Sequence, residues 1–371
     1  MSRVKSAAIA GLACTTLVLG VAAPATAVRA GFSWTAASMA PTSAEVQRAV
    51  NELAKRSGVV GVIAEAYYDG KRVARATAGS RLLDGKGGMI PSGSRYRAWS
   101  QTKFMTAAVL LQLVDEGKLG VDDKLSDVLP IVAEKDLVER ADEITVRQLI
   151  QHTSGIPDYP GQIQPFDTTY KSPLDLVKIS RKLPRKQEPG EKPAYSNTNY
   201  VLLGLIVEKL TGRTLGQEFG RRLFTPLKMT RTYLPTKPTQ GIKGPHGHGY
   251  HPDEQGELRD ADGVNATDPW AAGGVVSTAH DLSAFYRAFQ RGKLLPQDLQ
   301  KILMPRPGGQ AADPARCADP FMGAGPGSLS VTSASPDGHL QLAVSATLST
   351  DQPSLGQAIA ETSRAVLCPT Q

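Results

Sequence analysis

Ser100 and Lys103 have the residue types and the spacing of a serine nucleophile and the amine that activates it. Residues 104–114 follow them, and their three- and four-residue apolar periodicity predicts a helix. Serine favours the N-cap position at which Ser100 stands, and Lys103 projects from the same face one turn later. The hydroxyl and the amine therefore meet at the positive end of a helix dipole. A capping serine followed by a surface lysine is the alternative interpretation, since Ser2 and Lys5 share the spacing.

Tyr195 and Asn197 form a second candidate group, in a loop that enters the most apolar predicted helix, residues 197–210. Tyrosine is a poor base at its reference pKa of about 10. The ammonium of Lys103 would favour the phenolate, and Asn197 can orient that lysine and offer its amide to a substrate carbonyl. A tyrosine packed in the core and an asparagine that caps the helix are the alternative.

Two hairpins and several helices are expected to position these groups. A capped helix is predicted over residues 42–55, and β-branched runs around Asp69-Gly70 predict a hairpin over residues 59–77. A second hairpin is predicted over residues 328–346, with a last helix over residues 354–367. We expect an α/β protein of the α+β type, in which one antiparallel sheet is flanked by helices and a mainly helical subdomain is inserted at about residues 101–235.

The N-terminal sequence, residues 1–27, is typical of a secretory signal peptide. Arg3 and Lys5 precede an apolar run, and small residues at 25–27 supply a cleavage site. A flexible leader, residues 28–41, and one domain, residues 42–371, are expected to follow. A lipoprotein site at Cys14 is the less favoured alternative. We therefore expect a secreted protein, extracellular or associated with the cell wall, without a transmembrane anchor.

The distribution of charge along the chain indicates which classes of partner it can bind. The formal net charge of the 371 residues is +7, with the basic residues spread along the chain and not interleaved with aromatic residues, so no nucleic-acid partner is expected.

Beyond the signal peptide the chain contains two cysteines, Cys317 and Cys368, and a pair of cysteines in a secreted protein predicts a disulfide. Two unrelated buried thiols are the alternative. We expect a monomer.

The pairing of Ser100 and Lys103 with Tyr195 and Asn197 resembles the penicillin-recognising serine hydrolases. The resemblance is strongest to the secreted D-alanyl-D-alanine carboxypeptidases of actinomycetes, which are related to class C β-lactamases. Flanking sequences also match, among them those at residues 109–119, 144–148, 152–155, 208–212 and 277–282. The resemblance therefore covers about residues 58–303 and continues weakly to Cys368.

This resemblance implies a mechanism that passes through an acyl-enzyme. Ser100 would attack the carbonyl between two D-alanines, and Lys103 and Tyr195 would carry the proton from the hydroxyl to the leaving amine. The backbone N–H groups of Ser100 and Gly327 would stabilise the oxyanion. No cofactor is implied.

The resemblance also implies the walls of a substrate pocket. Trp270 stands where relatives place an aromatic wall, and Gln101 is a second candidate lining residue. The substrate would be a peptidoglycan-type peptide, a β-lactam or a small ester.

A third motif of the family, Lys or His followed by Thr or Ser and Gly, has no counterpart at residues 322–327. The phenolate of Tyr195 would lose one supporting cation, and a substrate carboxylate would lose charge-assisted hydrogen bonds. We therefore expect weakened or redirected peptidase activity that keeps rising above neutral pH as Tyr195 deprotonates. An esterase of the same fold and a non-catalytic peptidoglycan-binding relative are the alternatives.

Two histidine patterns point to other chemistries and are interpreted as structural. His246, His248 and His251 alternate as metal ligands on a strand do, but no metal site is expected. His152 with Asp158 suggests a Ser-His-Asp arrangement, yet no serine has the Gly-x-Ser-x-Gly setting of a nucleophile elbow.

Overall fold

The computed structural model describes residues 40–185, 187–304, 318–350 and 354–368. The predicted signal peptide and almost all of the predicted leader lie outside these residues, as does Cys317. Cys368 directly follows the last helix, and its predicted disulfide with Cys317 stays a prediction. Among the described residues, no helix combines the length and the apolar character that a membrane span requires.

Helices and strands alternate with loops along the described chain. The helices are α1 Ser43–Ala54, α2 Thr102–Asp115, α3 Leu125–Val128, α4 Ile131–Glu134, α5 Val146–Ile150, α6 Pro173–Arg181, α7 Asn197–Thr211, α8 Leu215–Phe219, α9 Trp270–Gly273, α10 Ala279–Gln290, α11 Gln297–Leu303 and α12 Leu355–Leu367. The strands are β1 Val59–Tyr68, β2 Lys71–Gly79, β3 Arg95–Arg97, β4 Tyr250–Pro252, β5 Leu258–Asp260, β6 Val276–Thr278, β7 Asp319–Gly325, β8 Ser328–Ala334 and β9 Leu340–Leu348.

The main sheet is antiparallel, with the strand order β2-β1-β9-β8-β7, so the first and last hairpins share one sheet as the sequence predicts. Asp69 and Gly70 turn the first hairpin with φ values of 48° and 77°, which match the twist of paired strands. Apolar side chains of α1 and α12 cover one face of the sheet, and those of α10 pack on the other face. The expected α+β architecture is confirmed.

The helical region surrounds α2, which is buried on nearly all sides. Helices α7, α8 and α9 pack directly on it, and α5 and α6 pack on α7. Helix α8 is followed by one π-helical turn, Gly220–Phe224. Because other elements enclose α2, most of its polar side chains are shielded from water. A side chain that faces the cleft beside the sheet is the exception.

The local sequence pattern does not predict strand β7. It forms the edge of the main sheet beside the turn that precedes α2. Its sequence contains three residues that weaken strands, Pro320, Gly323 and Gly325, which explains why its pattern gave no signal. The strand nonetheless forms a regular antiparallel ladder with β8 over its whole length.

Candidate active site

Ser100 lies in a tight turn rather than at a helix cap, which corrects the sequence-based placement. The turn is a 3-10 helix, Trp99–Gln101, and α2 begins only at Thr102 with Gln101 as its N-cap. Trp99 has a φ of 49°, a strained conformation for a side chain of this size. Its indole N–H donates to the hydroxyl of Ser328 at 2.9 Å, which ties the turn to the main sheet. The hydroxyl of Ser100 is thereby presented to the cleft.

The hydroxyl of Ser100 contacts both predicted partners. Its Oγ lies 2.7 Å from the phenol oxygen of Tyr195 and accepts a hydrogen bond from Lys103 Nζ at 3.1 Å. The three groups are brought together although 95 residues separate Ser100 from Tyr195. A nucleophile within hydrogen-bond reach of two proton-transfer groups is the arrangement that nucleophilic catalysis requires.

Lys103 is 4% exposed, and its ammonium is held by carbonyl oxygens rather than by a carboxylate. Besides the contact with Ser100, Nζ donates to Asn197 Oδ1 at 2.6 Å and to the backbone oxygen of Ala272 at 2.7 Å. Burial lowers the pKa of Lys103 to about 7, although the charge of Asp158 acts in the opposite direction. A large part of the Lys103 population is therefore neutral at neutral pH and able to accept a proton.

The pKa of Tyr195 is shifted in the direction opposite to the sequence-based prediction. Desolvation raises it to about 12, and the hydrogen bond with Ser100 only partly opposes this effect. Lys103 gives up its proton near pH 7, so it carries no charge that would stabilise a phenolate at the pH where tyrosine titrates. This shift favours a neutral phenol at physiological pH, and the expectation that Tyr195 serves as a phenolate base stays a prediction, which the pH profile of activity tests.

Asp158 and His152 hold the loop that carries Tyr195 and Asn197. A carboxylate oxygen of Asp158 accepts from the backbone N–H of Asn197 at 2.8 Å and from its side-chain amide at 3.1 Å. The ring of His152 stacks on Tyr195 at 4.6 Å, and its Nδ1 accepts from the backbone N–H of Ser196 at 3.2 Å. Burial lowers the pKa of His152 to about 4, so the ring is neutral, which agrees with its structural interpretation.

The titration of Lys103 predicts the pH dependence of activity. We expect kcat/KM to rise with pH through about 7, as the ammonium loses its proton, and then to stay level past pH 9. The plateau follows because Tyr195 keeps its proton until about pH 12. Initial rates between pH 5 and pH 10, at low concentrations of an ester that has no titratable group, measure this profile, and a rate that climbs steadily from pH 8 to pH 10 would show that the phenolate is the base.

The cleft in front of Ser100 has a volume of about 250 Å³ and walls that are mostly apolar. Asn197 and Tyr195 lie beside the nucleophile, and Asp268 adds an ionisable group to the wall. Among the residues that the structure describes, no Lys, Arg or His lines this cleft. The apolar lining residues include Tyr159, Pro160, Ile163, Pro165, Val264, Pro269, Ala324 and Pro326.

The structure places two predicted pocket residues away from the cleft. Gln101 is fully buried, and its side-chain amide donates to the hydroxyl of Ser330 in β8 at 2.8 Å. Trp270 begins α9, and its ring packs on Gly204 of α7, where a Cβ would stand 2.9 Å from the ring. Both side chains support the walls of the site from behind, and the predicted lining roles are corrected accordingly.

Gly327 also differs from its predicted role as an oxyanion donor. It lies in the turn between β7 and β8 with a φ of 69°, packed against Gly249, and its carbonyl accepts from the backbone N–H of Leu348. Ala324 lines the cleft instead. In the β7–β8 hairpin, Gly325 and Ser328 close a two-residue loop, and alternation along the ladder directs the N–H of Ala324 to the free edge of β7. This N–H is the better candidate for the second oxyanion donor.

Gly323 lets β7 approach the nucleophile closely. A Cβ at this position would stand 2.1 Å from the backbone oxygen of Ala98 and 2.7 Å from the backbone nitrogen of Ser100. We expect Gly323→Ala to push β7 from the Ser100 turn and to lower kcat/KM by about 10²-fold, the cost of a misplacement of roughly 1 Å. Steady-state kinetics measure the effect. Gly220→Ala is the matched control, because a Cβ there has open space around it, and equal losses in both variants would contradict this account.

The sequence patterns indicate the three reacting side chains but not the groups that hold them. Asp158 was named only in an alternative triad, whereas it fixes Asn197. Asp268 and Ala324 carried no pattern that distinguishes them from ordinary loop and strand residues. Among the described residues, the histidines at positions 246, 248 and 251 do not belong to a cluster able to hold a metal ion.

The chain is similar in sequence to a known protein family and to several of its members. The sequence pattern of the Beta-lactamase family matches residues 46–345. Two curated relatives are the N-acetylmuramyl-L-alanine amidase of Bacillus subtilis (strain 168), 30% identical over 53% of this chain and 48% of the relative, and penicillin-binding protein 4 of Amycolatopsis lactamdurans, 33% identical over 44% and 41%. The matches thus span less than half of these relatives.

Solved structures match over more of the chain. The D-stereospecific amidohydrolase from a Streptomyces species has a TM-score of 0.73 at 29% identity, covering 89% of this chain and 100% of that one. The D-amino acid amidase from Ochrobactrum anthropi SV3 has a TM-score of 0.74 at 22% identity, covering 87% and 97%, and supports the fold alone. With a family match over most of the chain and this fold, the protein belongs to the Beta-lactamase family of serine hydrolases.

Proposed function

We propose that this protein is a serine amidohydrolase that works through an acyl-enzyme on Ser100. The observation that supports the proposal most strongly is the contact of one hydroxyl with two proton-transfer groups, Tyr195 at 2.7 Å and Lys103 at 3.1 Å. A structural serine has no need of a buried lysine whose pKa lies near neutrality. Ser100, Lys103 and Tyr195 together satisfy the geometric requirement for a nucleophile and its base.

In the proposed acylation step, neutral Lys103 accepts the proton of the Ser100 hydroxyl as Oγ attacks the substrate carbonyl carbon. The negative charge that develops on the carbonyl oxygen is held by the backbone N–H groups of Ser100 and Ala324. The phenol of Tyr195 donates its proton to the leaving nitrogen as the C–N bond breaks, and the Lys103 ammonium replaces that proton. Water then attacks the ester and the same groups return Ser100 to its free form.

The composition of the cleft favours a substrate other than a peptide with a free C-terminal carboxylate. Strand β7 contains no basic residue and no hydroxyl, and among the described residues no basic side chain lines the cleft. A carboxylate brought into such a site would lose its hydration without a charged partner. We therefore favour amides of D-amino acids over D-alanyl-D-alanine carboxypeptidase activity, and the similarity to the D-stereospecific amidohydrolase from Streptomyces supports this choice.

Hydrolysis assays test the proposal. We expect the protein to release ammonia from D-phenylalanine amide faster than it releases D-alanine from D-alanyl-D-alanine, and Ser100→Ala to abolish both reactions. Faster release of D-alanine would favour the carboxypeptidase. Turnover of p-nitrophenyl acetate without amide hydrolysis would favour the esterase, which also needs no carboxylate site. A folded protein inactive on all of these substrates would overturn the proposal and favour a peptidoglycan-binding protein.

We also propose that the protein acts outside the cytoplasm, after removal of residues 1–27. Support comes from the basic, apolar and small-residue order of that segment. Expression of the full chain in a bacterial host, followed by N-terminal sequencing of the exported form, tests this proposal. A mature N-terminus near residue 28 is expected, and retention of the uncleaved chain in the cytoplasm would overturn it.

A further inference from the structure

Asp268 places an ionisable group in the cleft wall that the proton transfers do not use. The residue is 8% exposed and lines the cleft beside Pro269. Neither of its carboxylate oxygens has a hydrogen-bond partner among the described residues. A buried carboxylate without hydrogen bonds is costly, and a donor that enters the cleft would relieve the cost.

Lys171 is the nearby cation, and it satisfies Asp268 only in part. Its Nζ lies 3.7 Å from a carboxylate oxygen of Asp268, beyond hydrogen-bond distance. The same Nζ donates to a carboxylate oxygen of Asp167 at 2.9 Å and to the backbone oxygen of Thr169 at 3.3 Å. One ammonium is thus shared between two carboxylates, which leaves excess negative charge at this wall of the cleft.

The position of Asp268 is fixed close to the nucleophile turn. The phenol of Tyr159 donates to the backbone oxygen of Asp268 at 2.7 Å, which anchors the loop. A Cβ on Gly273 would stand 3.1 Å from Pro269 and 3.6 Å from the backbone of Trp99, so the Asp268 loop and the nucleophile turn adjoin across this glycine. A substrate acylating Ser100 therefore passes along a wall that carries a fixed negative charge.

We propose that Asp268 binds the free α-ammonium group of the amino acid whose carbonyl is attacked by Ser100. This inference deepens the proposed function and rests on it, since it names the substrate as an amino acid derivative with an unblocked amine. Both carboxylate oxygens are shielded from solvent in the free protein, so the Asp268 side chain must turn toward the cleft to bind the ammonium. The ammonium then supplies donors to both oxygens and compensates the excess negative charge. An N-acylated substrate would leave the carboxylate unpaired, so the site discriminates by the cost of an unsatisfied charge.

Ligand binding to the Ser100→Ala protein tests this assignment without turnover. At pH 7 we expect D-phenylalanine amide to bind at least about tenfold more tightly than N-acetyl-D-phenylalanine amide. This is the gain in affinity that one charge-assisted hydrogen bond provides. Asp268→Asn in the same background is expected to remove this preference. Because burial already raises the pKa of Asp268 to about 6, the folded protein tolerates a neutral group there. Calorimetric titration measures each affinity, and thermal unfolding confirms the fold.

Asp167→Asn is the matched control, since it removes the other carboxylate paired with Lys171. The preference for the free amine is expected to weaken but to survive in this variant, because Lys171 then pairs with Asp268 alone while the Asp268 carboxylate is still present. Equal affinity for the two ligands, failure of both to bind, or a preference that persists in Asp268→Asn would each overturn the assignment. Absence of amide hydrolysis by the intact protein would instead overturn the proposed function, so the two failures are distinguishable.

Discussion

Lys103→Met is expected to lower kcat/KM for amide hydrolysis by about 10⁴-fold or more, the loss seen when a group that acts as a unit with the nucleophile is removed. Methionine fills the volume of the lysine stem, but it has no nitrogen to accept the proton of Ser100. The folded protein is expected to keep its thermal stability, because the substitution also removes an ammonium whose burial lowers its pKa to about 7. Stopped-time assays at pH 8 together with thermal unfolding measure both quantities.

Lys209→Met provides the control for this substitution. Its ammonium donates to the backbone oxygen of Val128 at 2.8 Å, in helix α7 and outside the cleft. Activity close to that of the unmodified protein is expected for this variant. A Lys103→Met protein that is folded and retains more than a tenth of its activity would show that another group is the base.

Tyr195→Phe is expected to lower kcat/KM by about 10²- to 10⁴-fold, the contribution of a positioned general acid. The variant keeps the ring that stacks on His152 and loses only the hydroxyl that contacts Ser100 at 2.7 Å. The loss should be larger for an amide, whose leaving nitrogen must be protonated, than for p-nitrophenyl acetate, whose leaving group departs as an anion. Steady-state kinetics on both substrates measure this difference.

Tyr200→Phe is the matched control, because its hydroxyl also lies near the site but donates to the backbone oxygen of Ile150 at 3.1 Å. Removing this buried hydrogen bond is expected to cost about 1 kcal/mol of unfolding free energy. Turnover should stay close to that of the unmodified protein. Equal losses on amide and ester in Tyr195→Phe would argue that the phenol only positions Ser100.

Local sequence signals predicted much of the fold. The capping box of Thr42 and Glu45 starts α1, and Asp69-Gly70 turns the first hairpin, because each depends only on residues next to one another in the chain. Ser100, Lys103, Tyr195 and Asn197 were identified by their spacing and by the family resemblance, and the structure brings their side chains together.

Features that depend on long-range packing were not predictable in the same way. The helix pattern does not reveal that Trp99 adopts a positive φ, which moves the start of α2 to Thr102. The pKa of Tyr195 depends on desolvation in the assembled site, and the argument from the charge of Lys103 predicted the opposite direction. Asp268 can be recognised as a candidate binding residue only in the structure, because the cleft that it lines is assembled from distant segments of the chain.

Acid quenching during turnover of p-nitrophenyl acetate, followed by mass spectrometry of the digested protein, tests the central claim most directly. We predict one acetyl group on the peptide that contains Ser100, and its absence from that peptide in Ser100→Ala. Hydrolysis by the folded protein with no acyl group on this residue, or with the acyl group on another side chain in both proteins, would contradict the account.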